Sequence, residues 1–67
     1  MNRFAERLTE ELKIAGLTQA VFASKIGVSQ KSVSRWCNGQ REPSFDMLLA
    51  ICRELDVSAD YILGLEE

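Results

Sequence analysis

Four side chains in the middle of this 67-residue chain are of types and at a spacing suited to reading DNA. Val33, Trp36 and Cys37 fall on one side of a helix by period, and Gln30, Lys31, Ser34 and Arg35 point elsewhere. Arginine and lysine match the O6/N7 acceptor pair of guanine, and glutamine pairs with adenine N6/N7, so this free set suits base edges in a major groove. A merely solvated helix face is the ordinary alternative, but such faces usually carry Glu and this one has none. Gln19 opens the preceding helix, where free N–H groups and the helix dipole favour an anion, and its amide adds a donor for the same phosphate. A plain exposed glutamine beside a cap is the competing reading. Asn38, Gln40 and Arg41 follow in a loop expected to face the DNA backbone, although Asn38-Gly39 serves equally well as a helix stop.

Other chemistry is hard to build. There is no histidine, so a nucleophile such as Cys37 or Ser34 lacks the usual base, and no paired carboxylates fall in a plausible cleft. A phosphate-cradling glycine loop is also missing. Cys37 and Cys52 stand fifteen residues apart with no CxxC pattern, which fits neither a zinc site nor the disulfide framework of a secreted scaffold. The expectation is no enzyme, no metal, no cofactor and no small-molecule ligand, with both cysteines as buried thiols. Trp36 could offer a stacking platform to a single strand; on an apolar stripe it is expected in the core, with an indole N–H that still needs a partner. The N-terminus lacks a signal-peptide run and no stretch approaches a membrane span, so a cytoplasmic protein is expected.

The overall charge of −2 and pI near 5.1 contradict the usual basic character of a DNA binder. The average conceals a segregation. From Leu12 to Arg41 there are five basic residues, Lys13, Lys25, Lys31, Arg35 and Arg41, and no acid, a local charge of +5. The remainder holds all ten acids with only Arg3, Arg7 and Arg53 against them.

Positioning these residues requires helices, and the pattern supplies five. The first is expected from about 2 to 15, with Phe4, Leu8, Leu12 and Ala15 on one face and Gly16 at its end. Thr18 caps a second over 19–26, with Leu17 and Phe22 as a hydrophobic staple, and Gly27 ends it. Ser29 caps a third over 30–37, stapled by Val28 and Val33. After the loop Gln40 to Pro43, Ser44 caps a fourth over 45–55, its inner face expected to be Phe45, Leu48, Ile51, Cys52 and Leu55. Ser58 opens a short fifth helix over 59–63, and Leu65-Glu66-Glu67 reads as a frayed tail. No alternation of period two occurs, so residues 1–67 read as one all-α domain, a compact five-helix bundle. Between the second and third helices only Gly27, Val28 and Ser29 intervene, too few for the helices to lie side by side. They must cross steeply, as in a helix-turn-helix.

The stretch from Gly16 to Gly64 resembles the Cro/phage-repressor type of helix-turn-helix domain, the XRE family. The marks are Gly16-Leu17-Thr18-Gln19, Ala23 at the helix crossing, Ile26-Gly27-Val28-Ser29, Val33-Ser34-Arg35-Trp36, Asn38-Gly39, Pro43-Ser44 and Asp60-Tyr61. The resemblance implies a lambda-repressor-like five-helix domain that binds double-stranded operator DNA, usually as a homodimer, with pairing through the fifth helix, Tyr61 to Leu65. It implies base-reading places for Ser29, Gln30, Lys31 and Arg35, and phosphate places for Gln19, Asn38 and Arg41. Members often pair an Arg late in the first helix with a Glu late in the third. Here those places hold Leu12 and Cys37, so an apolar contact is expected instead. Glu11 stands where an apolar residue is common, Asp56 where Gly is usual, and Val21 where a polar residue is expected. The leading expectation is a sequence-specific transcriptional regulator, a repressor of phage or prophage type. The alternative is a protein-interaction module or antitoxin on the same fold.

Overall fold

Hydroxyl side chains start four of the five helices in the computed structural model, which describes residues 2–66. The helices are α1 (Phe4–Ala15), α2 (Gln19–Ile26), α3 (Gln30–Cys37), α4 (Phe45–Leu55) and α5 (Ala59–Leu63), and no strand occurs among the described residues. Thr18, Ser29, Ser44 and Ser58 accept from the backbone N–H groups of Val21, Ser32, Met47 and Tyr61 at 3.0–3.2 Å. Each such cap contributes about 1 kcal/mol, which matters in a domain this small. α1 is the exception and begins later than expected. Asn2 stays outside it, where Oδ1 accepts from the Phe4 N–H at 3.0 Å and Nδ2 donates to Glu42 Oε2 at 2.9 Å. A short amide side chain that bonds nearby backbone favours a turn over helix interior.

The helix ends share one device. The N–H groups of Leu17, Val28, Gln40, Val57 and Leu65 reach back to the carbonyls of Leu12, Ala23, Arg35, Cys52 and Asp60 at 2.8–3.0 Å. This bond needs a left-handed residue just before it. Glycine supplies that conformation four times, and Asp56, with φ 56°, supplies it after α4. Aspartate tolerates the region better than most side chains, so the departure from glycine costs little.

α1 packs on α3, α4 and α5, while α2 packs on α3 and α4. The core they enclose takes Phe4, Leu8 and Leu12 from α1, Phe22 and Ala23 from α2, Val33 and Trp36 from α3, Ile51 from α4 and Ile62 from α5. Trp36 is therefore a core residue, and no buried side-chain nitrogen or oxygen among the described residues lacks a partner. Three expectations about burial fail. Ala15 overhangs the core at the end of α1 and is exposed. Both cysteines are only half-buried, packed against the core without entering it. Phe45 is 91% exposed: it lies roughly 90° around α4 from the line through Leu48, Ile51 and Leu55, at the first turn of the helix.

Arg7 is buried, an unusual state for its type. Its Nη1 donates to the carbonyls of Tyr61 and Glu66, the latter at 2.6 Å, and the guanidinium sits 4.4 Å from the Tyr61 ring centroid. The Tyr61 hydroxyl in turn donates to Glu11 Oε2 at 3.3 Å. This tie corrects the expectation of a frayed tail for Leu65 and Glu66, whose N–H groups both reach the Asp60 carbonyl; Glu67 lies outside the described residues. Replacing Arg7 by Ala leaves two carbonyls without their charged donor. The expected loss is about 2–3 kcal/mol of folding stability, read by urea denaturation. A loss below about 0.5 kcal/mol, the level of an ordinary surface change, would remove the tie from the account of stability.

Candidate nucleic-acid interface

α3 is oriented by what it buries. Val33 is fully buried and Trp36 nearly so, which turns the opposite arc of the helix outward. Gln30, Lys31 and Arg35 are exposed there, and Ser34, which falls between Gln30 and Lys31 around the helix, is half-buried. The structure thus brings together Gln30, Lys31, Ser34 and Arg35 on one side. Ser29 stands at the head of the same helix, but its hydroxyl is occupied: it accepts from the Ser32 N–H and shares a hydrogen bond with the Ser32 hydroxyl at 3.1 Å. Any base contact by Ser29 has to compete with its role as a cap.

The loop after α3 is pinned to it. Gln40 and Arg41 both donate their N–H groups to the Arg35 carbonyl, at 2.9 and 3.4 Å. Asn38, Gln40 and Arg41 are exposed. Between α3 and the start of α4 lies an open cleft of about 190 Å³, lined by Ser32, Arg35, Trp36, Arg41, Glu42, Pro43 and Ser44. Two guanidinium groups therefore share a cleft with the first residues of a helix N-terminus, a combination that attracts anions. Ser32 and Ser44 also border this cleft; the sequence marks Ser44 only as a cap, and Ser32 lies on the far flank of Arg35 by helical period. Glu42 also lines the cleft and brings a negative charge that Asn2 holds in place.

Gln19 meets Cys37 at the last residue of α3. Burial raises the Cys37 thiol above its ordinary pKa, and the side chains of Thr9 and Gln19, set against the sulfur, partly counter the rise. The Leu12/Cys37 exchange is thus more polar than expected: Leu12 enters the core, while the thiol faces a hydroxyl and an amide. Burial likewise raises the Cys52 thiol. No group of residues able to hold a metal occurs among the described residues, and no described helix is long and apolar enough to cross a membrane.

Two capped helices joined by a three-residue turn, with the second packed by Val33 and Trp36, match the helix-turn-helix family model over residues 8–62. The chain belongs to this helix-turn-helix family. Its relatives include YobD of Bacillus subtilis, a transcriptional regulator of helix-turn-helix type, 36% identical over 64 residues that make up 96% of this chain and 57% of YobD. Repressor protein C2 of Salmonella phage P22 is 34% identical over 58 residues, 87% of this chain and 27% of that protein. The chain thus spans little more than half of YobD and about a quarter of C2. Among solved structures, the P22 c2 repressor crystallised with a synthetic operator superposes with a TM-score of 0.90 at 30% identity, over 98% of this chain and 100% of that one. All marks of the XRE-type resemblance lie within or directly beside the matched residues.

The Cys37 thiol generates a test of the packing at Gln19. Its folded pKa lies above its unfolded one, so its contribution to stability is complete below the unfolded pKa and is lost as pH rises through the folded value. Iodoacetamide is expected to label Cys37 more slowly than an unstructured cysteine peptide at pH 8, followed by peptide mass mapping. Gln19→Ala should slow the labelling further. Labelling as fast as the peptide would show that the thiol is not shielded.

Proposed function

We propose that this chain binds double-stranded DNA sequence-selectively as a transcriptional regulator, a repressor in its simplest form, with α3 in the major groove. One observation carries the reading: the outward face of α3 presents Gln30, Lys31 and Arg35 without a single acidic residue on the helix. The likeness to a repressor crystallised with an operator supports it. In this reading Gln30, Lys31, Ser34 and Arg35 read base edges, with Ser29 at their head, and Gln19, Asn38 and Arg41 hold phosphates. Ser44 joins the phosphate set through the cleft it shares with Arg41. The protein is not an enzyme, works in the cytoplasm, and binds its operator as a homodimer on two half-sites.

A second reading, a protein-interaction module or antitoxin, draws on the acidic charge outside residues 12–41. A salt titration on duplexes selected from a random library separates the two. DNA binding should weaken with a log–log slope near −0.9 per phosphate neutralised, whereas a flat curve or no binding at low salt favours the interaction module.

Two substitutions then divide the labour within the site. Arg35→Ala is expected to cost about 1–3 kcal/mol on the selected duplex and to relax preference at one base position. An equal loss on every duplex would reassign Arg35 to a phosphate. Gln19→Ala should weaken binding to all duplexes alike, and a shifted base preference would refute its phosphate role. Both are read by fluorescence anisotropy on matched and scrambled duplexes.

A further inference from the structure

The outer ridge of α4 carries apolar surface that the chain leaves uncovered. Phe45 is 91% and Leu49 50% exposed, and both border an open groove of about 290 Å³ completed by Leu48, Cys52 and Ala59. Positions 45, 49 and 53 follow at intervals of four and form one ridge of the helix. Arg53 therefore closes the ridge at its C-terminal end, and Asp46 flanks its N-terminal end. Both are exposed, and neither takes part in an ion pair, the Arg3–Glu6 pair being the one found among the described residues. In the segment Tyr61 to Leu65, expected to carry pairing, Ile62 is fully buried and Tyr61 lies between Arg7 and Glu11, which leaves Leu63 and Leu65 as its exposed apolar side chains.

We propose that a second copy of this chain docks on this ridge, α4 against α4 and antiparallel about a two-fold axis at Leu49. The inference rests on the homodimer in the reading above and names its surface. The ridge is self-complementary in that arrangement. Phe45 stands as many residues before Leu49 as Arg53 stands after it, so the axis sets Leu49 against its own copy and Phe45 opposite the partner's Arg53. An isologous contact of this kind satisfies both copies at once. The guanidinium then meets an aromatic face and the Asp46 carboxylate together, a combination that suits Arg. Antiparallel helices also bring each positive N-terminus beside a negative C-terminus. Phe45 directly follows Ser44, so the seam runs beside the cleft of Arg35 and Arg41 and leaves the outward face of α3 open.

Sedimentation equilibrium of the whole chain under reducing conditions, from micromolar to millimolar concentration, tests the proposal. The unaltered chain should reach a monomer–dimer equilibrium. Leu49→Lys, which sets two like charges on the axis, and Arg53→Asp should each weaken it by roughly tenfold or more. The exchange D46R/R53D should bring association back toward that of the unaltered chain, because the two charges trade places across the axis. The circular dichroism melt of Leu49→Lys should stay near the unaltered chain's, since that position is exposed, while the changes at Asp46 and Arg53 lower it modestly because both charges complement the dipole of α4. A chain monomeric throughout, variants that associate undiminished, or loss on Leu65→Lys alone would each overturn the ridge. The DNA reading is judged apart: dimers broken by these variants in a chain that binds no duplex would keep the ridge and remove the regulator.

Discussion

Burial of Val33 and Trp36 against α1 and α2 is the constraint on which the rest of the molecule depends. α3 is only eight residues long, too short to persist alone in water, so its existence and its orientation both come from packing. With those two side chains in the core, the arc bearing Gln30, Lys31 and Arg35 has no direction left but outward. The same core takes in Phe22 and Ala23 of α2, which packs on α3 from the inner side and leaves its other side free. A site made in this way has its geometry set by residues that never touch a ligand.

The second frame is polar. Hydroxyl caps start α2, α3, α4 and α5, and a left-handed residue closes each helix end, so the backbone groups that a short helix leaves unpaired are mostly absorbed locally. This explains how a domain with nine buried apolar residues among those described sustains five helices. Arg7 supplies the long-range counterpart. By gathering the carbonyls of Tyr61 and Glu66 under one guanidinium, it joins the end of the described chain to α1.

Much of this was legible from residue order alone, because capping and staple signals are local. Ser29 with Val28 and Val33, or Thr18 with Leu17 and Phe22, announce a helix start within a few residues. The outward set on α3 was legible for the same reason: period assigns faces, and Val33 and Trp36 mark which face is inward. Errors arose where an outcome depended on distant partners. Period and type group Phe45 with the inner face of α4, yet residues of α1 and α5 only border open grooves beside it and leave it 91% exposed. The tail looked frayed because the carbonyl partner of its order, Arg7, is fifty-nine residues away from Glu66.

The sequence by itself determined the helices, their ends, the tight turn between α2 and α3, and the segregation of charge that leaves residues 12–41 without an acid. These are consequences of backbone preference and side-chain type, which act over one or two turns. Tertiary structure alone decided that Arg7 is buried, that Ser32, Ser44 and Glu42 share a cleft with Arg35 and Arg41, that Gln19 rests against the Cys37 thiol, and that Phe45 and Leu49 stay uncovered. Each of those depends on which surfaces of separate helices come within a few ångströms of one another. Volume and the sum of all packing set that distance, and no local pattern encodes it.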